Sequence, residues 1–234
     1  MRIALIGAGR MAEAIRQEAT AQGDELITTI ARAENSGAAA ITADRLAGVD
    51  VAFEFSTPDA VVANLRALQP LGVAVVCGTT GWDEQRTSVE AAWAAGPGAL
   101  LAASNFAIGV HLFLRAARAL AAASAGQVAF DGFLHERHHA AKRDAPSGTG
   151  LRLQETMRAV DPRRTWPITS VRAGSIPGEH ELVLDAPYET ITLRHEARDR
   201  RVFAAGALTA GRWLRGRRGV FTLDALFDGG GSCS

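Results

Sequence analysis

Short apolar runs alternate with longer amphipathic segments over the N-terminal part of the chain. The apolar runs occupy residues 2–6, 25–31, 51–55, 73–77 and 99–103. The segments between them, at 10–22, 58–71 and 83–95, are rich in alanine and carry apolar residues three and four positions apart. The first pattern is typical of buried parallel strands and the second of helices. Their alternation predicts a doubly wound, Rossmann-like α/β sheet.

One predicted helix start is defined by its residue types. In the segment STPDA, Ser56 or Thr57 can cap the helix, Pro58 suits the first helical position, and Asp59 complements the helix dipole. We therefore expect the second helix to begin at Pro58.

The pattern changes after Asn105. A long apolar helix at 108–123 is followed by candidate strands at 127–136, 169–172, 179–185 and 190–197. Alternation of polar and apolar residues in the last strand predicts a sheet with one exposed face. We expect a mixed α/β substrate-binding and oligomerisation domain at 106–206. The dinucleotide-binding domain would comprise 1–105 with 207–234, since GALTAGRWL is predicted to return to it as a helix.

Composition narrows the class of protein. The chain has 234 residues, of which 47% are hydrophobic and 21% charged, as expected for a globular protein with one large or two smaller cores. Its 25 basic and 25 acidic residues give no surplus that favours nucleic acid or an anionic membrane as partner. Cys77 and Cys233 form neither a disulfide framework nor a metal quartet. We find no signal peptide and no apolar stretch of ~20 residues, so we expect a cytoplasmic protein. We assign the terminal GGGSCS no function.

A glycine turn follows the first strand and opens the first helix. Residues 7–12, GAGRMA, match the G-x-G-x-x-A form of the dinucleotide fingerprint. The first glycine permits a tight turn, the second lets the backbone approach a pyrophosphate, and the helix amides donate to that anion. A strand-to-helix turn without ligand is the alternative. We predict that the cofactor contacts Gly7, Ala8, Gly9, Arg10 and Met11.

The end of the second strand points to the cofactor's ribose. The fingerprint normally has an acid there, but this chain reads ITTIARAEN, with Arg32 at the expected position. A guanidinium suits a ribose that carries a phosphate, so we expect NADPH to be preferred over NADH. Two alternatives stay open. Glu34 can reach the ribose after a small shift of the loop, and Arg32 can be an ordinary surface arginine.

The densest cluster of reactive residue types lies at 136–150, ERHHAAKRDAPSGTG. Pro146 ends any preceding helix, and Thr149 precedes an apolar-periodic stretch, which predicts a new helix N-terminus. The free amides of that helix, the hydroxyls of Ser147 and Thr149, and the ammonium of Lys142 can hold a small carboxylate. One histidine remains for proton transfer. A purely structural loop is the alternative.

Residues 136–149 match the pattern E-x-H-H-x-x-K-x-D-A-P-S-G-T, which resembles the signature of the dihydrodipicolinate (4-hydroxy-tetrahydrodipicolinate) reductase family. Further similar segments are GTTGW at 78–82, ASNFAIGV at 103–110, RAGSIPGEH at 172–180 and DRRVFAAGA at 199–207. The resemblance thus covers nearly the whole chain. It implies a Rossmann-like cofactor domain, a tetramer built by an open sheet, and reduction of a dicarboxylate heterocycle to tetrahydrodipicolinate in lysine (diaminopimelate) biosynthesis.

The resemblance also implies roles for matched positions. His138 would donate and accept a proton, and Lys142 would donate a proton and hold substrate. The substrate contacts would be His139, Ser147, Gly148 and Thr149. Arg200 and His180 match family positions too, with a solvated arginine and a structural hydrogen-bonding histidine as the alternatives. The nicotinamide-side contacts would be Gly78, Thr79, Thr80, Ala103, Ser104, Asn105 and Phe106. Glu136 and Asp144 would orient these groups, and no metal is expected.

The chain departs from the family pattern in several places. Ala12 replaces a common glycine, the first glycine loop is one residue shorter than in many relatives, and the segments between the second and third strands and between Thr149 and Arg172 are also short. Two rival functions remain open. One is a reductase or dehydrogenase of the same architecture acting on another amino-acid-derived substrate. The other is a redox sensor that binds NAD(P) without turnover.

Overall fold

The computed structural model describes residues 1–228, which fall into two compact units. One unit comprises Met1–Ala107 and the chain from Arg201 onwards, and the other comprises Ile108–Arg200. The expected second boundary, at 206/207, falls inside a helix that belongs wholly to the first unit. The GGGSCS segment, residues 229–234, and with it Cys233, lies outside the described residues.

The first unit is a parallel sheet with helices on both faces. Its strands are β1 (Arg2–Ile6), β2 (Glu25–Ile30), β3 (Val51–Glu54), β4 (Ala74–Cys77), β5 (Ala99–Ala102) and β10 (Gly219–Phe221). Their order is β10-β5-β4-β3-β1-β2, and all neighbours are parallel. Its helices are α1 (Arg10–Ala21), α2 (Val61–Leu68), α3 (Asp83–Ala94), α6 (Arg201–Leu214) and α7 (Ala225–Asp228). The predicted Rossmann-like fold is confirmed. The three-residue β10 was not predicted, because it is too short to show a pattern.

Helices cover both faces of the sheet, which explains why its strands could be predicted from apolar runs in the sequence. Ile15 of α1 and Leu208 of α6 pack against one face of the sheet. Leu65 of α2 and Trp93 of α3 pack against the other face. The strand order reverses at β1, which lies between β2 and β3. Open α/β sheets bind ligands at the carboxyl ends of the strands beside such a reversal.

The predicted start of α2 was wrong. The helix begins at Val61 rather than at Pro58, and residues 57–60 form a turn in which the amides of Ala60 and Val61 both donate to the carbonyl of Thr57. The hydroxyl of Ser56 donates to the carboxylate of Glu54 instead of capping the helix. A buried acceptor next to this serine thus outcompetes the helix amides for its side chain.

The second unit is a four-stranded mixed sheet with two helices. Its strands are β6 (Asp131–His138), β7 (Ile168–Arg172), β8 (Glu179–Ala186) and β9 (Glu189–Glu196), and its helices are α4 (Ile108–Ser124) and α5 (Gly148–Val160). The strand order is β7-β6-β8-β9. β6 and β7 are parallel and joined through α5, whereas the other neighbours are antiparallel. The first strand begins and ends later than predicted, which places His138 at its carboxyl end.

The two faces of this sheet differ in burial. Leu134, Leu182 and Leu184 alternate onto one face and are fully buried. The opposite face, which we call the open face, carries the exposed apolar side chains of Phe133 and Val171. The predicted sheet with one exposed face is therefore present. Among residues 1–228, no helix combines the length and apolar character needed to cross a membrane.

Candidate active site

The glycine turn has the geometry that a dinucleotide requires. Gly7 has a φ of +110°, and a Cβ atom there would lie 2.3 Å from the carbonyl oxygen of Phe55. A Cβ atom at Gly9, the residue that precedes α1, would meet no described atom within 4 Å. The first glycine is therefore required by the fold. The second leaves the start of the helix open to a ligand, so the residues present fit a pyrophosphate.

Two pockets lie at the carboxyl edge of the parallel sheet and share Phe55 and Ser56. The first, of about 260 Å³, is lined by Gly7, Ala8, Gly9 and Arg32 together with residues of β1, β2 and α2. The second, of about 230 Å³, is lined by Met11, Pro58, Gly78, Thr79 and Thr80. The structure thus brings most of the predicted cofactor residues into two adjoining pockets. Among the described residues, Arg10 and 103–106 belong to neither lining.

The predicted ribose-side residue, Arg32, lies at the first pocket with its side chain 73% exposed. Its guanidinium contacts the carboxylate of Asp59 at 3.0 Å. The alternative residue, Glu34, is engaged elsewhere. Its carboxylate accepts hydrogen bonds from Arg45 at 2.7 Å and from the amide of Ala31 at 3.0 Å, and the Arg45 guanidinium lowers the pKa of Glu34.

The loop at 103–106 continues β5 into the start of the second unit. The amide of Ala103 donates to the carbonyl of Cys77, and the side chain of Asn105 accepts from the amide of Ala107. Phe106 is buried, and its ring lies 5.8 Å from the ring of Phe55. Ser104 is exposed. Because Phe55 lines both pockets, the contact between Phe106 and Phe55 places this loop next to the walls of both.

Glu54 is a buried carboxylate in the first unit that the sequence did not single out. It ends β3, is fully buried, and accepts hydrogen bonds from side chains on three segments that line the pockets. Asn64 donates at 3.0 Å and Thr79 at 2.6 Å, and Ser56 donates as well. An acidic residue ending a fully buried strand was the signal available in the sequence.

In the second unit, Glu136 is the centre of the signature segment. It accepts hydrogen bonds from the amide and hydroxyl of Ser147, from Ser170 at 2.8 Å and from Arg172 at 2.7 Å. Burial by itself would raise the pKa of Glu136, but these donors outweigh it and lower the pKa to about 2. The carboxylate is therefore charged and fully engaged, which agrees with the predicted orienting role. Arg172 was not predicted, although it belongs to the RAGSIPGEH segment.

His138 ends β6 next to this carboxylate and is 7% exposed. Its ring meets that of His180 edge-on, with 5.1 Å between the ring centres. Burial lowers the pKa of His138, the charge of Glu136 opposes that effect, and the positive charges of Lys142 and Arg172 add to it. Within the described residues, its buried Nδ1 atom has no hydrogen-bond partner. The imidazole is thus neutral at pH 7 and has free hydrogen-bonding capacity.

Lys142 is the only lysine among the 25 lysine and arginine residues of the chain. Its ammonium contacts both carboxylate oxygens of Asp144, at 2.7 and 2.9 Å, and its side chain is 24% exposed. The hydrogen bond from Lys142 lowers the pKa of Asp144. A lysine can release its proton to a reacting group, whereas an arginine cannot do so in proteins.

The predicted substrate-binding residues lie before and after Lys142 in the sequence. Arg200 contacts Nε2 of His139 through its guanidinium at 3.2 Å. Ser147 precedes α5 and its hydroxyl accepts from the amide of Gly150 at 3.0 Å. A Cβ atom at Gly148 would meet no described atom within 4 Å. The first turn of α5, with Thr149, is therefore open to an anion.

Glu136, His138 and His180 also have ligand atoms within 4.8 Å of one another, which is the spacing of a metal site. The guanidinium of Arg172, at 2.7 Å from Glu136, already neutralises the only carboxylate of this group. A cation at the same place would meet that positive charge at close range. This arrangement favours the predicted metal-free site, which remains a prediction.

Comparisons with known proteins show similarity over nearly the whole chain. The family model described as "Dihydrodipicolinate reductase, N-terminus" matches residues 1–106, and that described as "Dihydrodipicolinate reductase, C-terminus" matches residues 109–227. A 4-hydroxy-tetrahydrodipicolinate reductase from Gluconobacter oxydans is 42% identical over 76% of this chain and 77% of its own length. One from Christiangramia forsetii is 30% identical over 97% of this chain and 98% of its own length.

Solved structures share the fold. A dihydrodipicolinate reductase from Paenisporosarcina sp. TG-14, with dipicolinate bound, gives a TM-score of 0.79 at 23% identity over 95% of this chain and 97% of that chain. A diaminopimelate (DAP) dehydrogenase from C. glutamicum in complex with DAP gives a TM-score of 0.58 at 13% identity, covering 95% of this chain and 92% of that chain.

Proposed function

The chain belongs to the dihydrodipicolinate reductase family, and on this premise we propose how it performs the family's reaction. It is an NAD(P)H-dependent reductase of the lysine pathway, which reduces the dehydrated form of 4-hydroxy-tetrahydrodipicolinate to tetrahydrodipicolinate. Bound NAD(P)H supplies the hydride. The chain's own residues must hold both molecules and deliver a proton.

On the cofactor side, the proposed site is formed by the glycine turn and the loops that follow β4 and β5. The open backbone at Gly9 and the amides of α1 would hold the pyrophosphate. Thr79 and Thr80, which line the second pocket, would bind the nicotinamide half together with the loop at 103–106. The adjoining pockets have the lining that an extended dinucleotide needs.

On the substrate side, the proposed site is the open first turn of α5 with its neighbours. The amides at Gly148 and Thr149 and the ammonium of Lys142 would hold carboxylates. His139 and Arg200, which contact each other, would complete this wall. Glu136 holds Ser147, and with it the start of α5, in place through its hydrogen bonds.

His138 is the proposed proton donor. The imidazole is neutral before substrate binds, because burial lowers its pKa. A bound dicarboxylate brings negative charge next to the ring, which raises the pKa of His138 and favours uptake of a proton. His138 can then release that proton as negative charge develops on the imine system of the substrate, with Lys142 supplying positive potential.

The observation that carries this assignment is that a buried imidazole and the chain's only lysine occupy the same signature segment as an open helix N-terminus. We expect His138→Gln to lower turnover by ~100- to 10,000-fold while NADPH affinity and melting temperature stay close to wild type. Lys142→Ala should in addition weaken binding of pyridine-2,6-dicarboxylate.

Matched controls lie beside both residues. His135→Gln, on the open face of the same strand, and Arg143→Ala, next to Lys142, should keep nearly full turnover. Unaltered turnover in His138→Gln would refute the proton-donor assignment. Binding of NADPH without turnover in the wild-type chain would favour the sensor alternative, and turnover of another cyclic imine or amino acid would favour the alternative reductase.

We further propose that NADPH is preferred over NADH through Arg32. The guanidinium is exposed at the first pocket, and Glu34, the rival carboxylate, is engaged by Arg45. Arg32→Asp should shift preference towards NADH by ~1.5–3 kcal/mol, the worth of a charge-assisted contact. Dissociation constants of both cofactors measure the shift. A wild-type preference for NADH that Arg32→Asp leaves unchanged would contradict this role.

We propose a cytoplasmic homotetramer that assembles through the open face of the second unit. The exposed apolar side chains on that face, Phe133 and Val171, support the proposal because a partner sheet on this face would cover them. Sedimentation analysis of Phe133→Lys tests it. The substitution should shift the protein to smaller species, and an unchanged tetramer would exclude the open face as the interface.

A further inference from the structure

Glu54 is a buried acidic residue that the proposed reaction does not use directly. It lies at the carboxyl end of β3, beneath the residues that line both cofactor pockets, and its side chain is inaccessible to solvent. Ser56 lines both pockets, Asn64 lines the first and Thr79 the second. All three contact the carboxylate of Glu54.

Four side chains of the described residues donate hydrogen bonds to this carboxylate. One oxygen accepts from the hydroxyl of Ser56 and from the amide of Asn64 at 3.0 Å. The other accepts from the hydroxyl of Thr79 at 2.6 Å and from the thiol of Cys77 at 3.5 Å. The orientation of Asn64 is fixed independently, because its amide oxygen accepts from Asn35 at 2.9 Å. Two carboxylate oxygens have enough lone pairs for all four donors.

This arrangement fixes the direction of the Thr79 hydroxyl. A hydroxyl has one proton to donate and two lone pairs that accept. The proton of Thr79 points to Glu54, and one lone pair accepts the amide N–H of Ser56 at 2.8 Å. One lone pair remains. Towards the second pocket, Thr79 can therefore accept a hydrogen bond but cannot donate one.

We propose that Glu54 is a positioning residue that makes Thr79 an acceptor for the carboxamide NH₂ of the nicotinamide. The inference rests on the proposed cofactor site, which places the nicotinamide half at the second pocket. Glu54 touches no cofactor atom in this role and acts through the hydroxyl of Thr79. It thereby selects a ligand that presents a donor at this position over one that presents only an acceptor or a methyl group.

The test compares NADP⁺ with its 3-acetylpyridine analogue, in which a methyl group replaces the carboxamide NH₂ and the carbonyl oxygen is kept. Dissociation constants of both are measured for the full-length protein. The wild type should bind NADP⁺ about five- to tenfold more tightly, which is the worth of one hydrogen bond. In Glu54→Gln, the side-chain amide donates to the hydroxyl of Thr79, and the proton of that hydroxyl then points towards the pocket. The difference in affinity between NADP⁺ and the analogue should therefore fall to about twofold or less.

Further variants show whether Glu54 acts through Thr79. Thr79→Val should also lose the discrimination, and the double variant should lose no more than either single one. Thr79→Ser should retain it, because Glu54 still orients a hydroxyl. Glu84→Gln, an exposed glutamate of the same unit, should behave as wild type.

The outcomes separate this inference from the proposed function. Normal NADP⁺ binding with undiminished discrimination in a folded Glu54→Gln variant would overturn the role of Glu54 alone. If Glu54→Gln does not fold, a Thr79→Val variant that discriminates like wild type would overturn it. A wild-type chain that binds neither dinucleotide would overturn the proposed cofactor site and this inference together.

Discussion

Replacing Glu136 with glutamine should strongly destabilise the second unit, because the change leaves a buried guanidinium without its counter-charge. Glu136 is 1% exposed, and the side chain of Arg172, which donates to it at 2.7 Å, is 16% exposed. Breaking a buried ion pair by removing one partner typically costs ~3–5 kcal/mol. The lowered pKa of Glu136 gives a second value for this loss of stability. Its lowering from an ordinary 4.5 to about 2 is worth about 3 kcal/mol at neutral pH, at 1.36 kcal/mol per pKa unit.

Urea unfolding at pH 7 would measure this loss when it is followed by fluorescence in a background where Trp82, Trp93 and Trp213 are replaced by phenylalanine, which leaves Trp166 of the second unit as the probe. Glu189→Gln, at an exposed position of the same unit, should change the free energy of unfolding by no more than about 0.5 kcal/mol. The double variant Glu136→Gln/Arg172→Met removes both partners and should be less destabilised than Glu136→Gln alone.

The pH dependence supplies an independent check. A carboxyl group whose pKa is lowered in the folded state stabilises the protein above its unfolded pKa and loses that effect as pH falls towards about 2. The difference in stability between Glu136→Gln and the wild type should therefore shrink as pH falls from about 4.5 to about 2. A loss under 1 kcal/mol at pH 7 would refute the reasoning that Glu136 anchors this segment.

Three further predictions concern neighbouring residues. Burial lowers the pKa of His180 from 6.5 to about 4, so the unfolded chain takes up a proton at a higher pH than the folded chain does, and stability falls by about 3 kcal/mol from pH 6.5 to pH 4. His180→Asn should flatten the pH dependence of the melting temperature over this range, and an unchanged slope would contradict the assignment. Ser147→Ala removes the cap of α5 and a donor to Glu136, so urea unfolding should show a loss of about 2–3 kcal/mol, with weaker pyridine-2,6-dicarboxylate binding. Gly9→Ala should leave the melting temperature nearly unchanged but weaken NADPH binding at least about tenfold. Gly7→Ala, whose Cβ would meet the carbonyl of Phe55, should lower both the melting temperature and the affinity for NADPH. Equal effects of the two substitutions would refute the different roles of the two glycines.

Local signals in the sequence determined the fold class and the position of the glycine turn. β3 and β4 are buried on both faces, so apart from Glu54 at the end of β3 their residues are apolar and could be recognised without knowledge of their neighbours. The glycine turn is equally local, because Gly7 needs its positive φ whatever surrounds it. The signature segment was recognised from its residue order, and the start of α5 at Gly148 is a feature of the same short stretch of chain.

Only the tertiary structure decided which buried groups share hydrogen bonds. Glu136 of β6 meets Arg172 of β7, and Glu54 of β3 meets Thr79 in the loop after β4, and the members of both pairs are distant along the chain. The start of α2 was predicted wrongly because the hydroxyl of Ser56 donates to Glu54, a carboxylate that is buried only once the sheet has assembled. Sequence patterns report whether a position is buried and which backbone conformation it favours. The partner of a buried polar group depends instead on strand register and the competition among all donors within reach, which is fixed only when the sheet assembles.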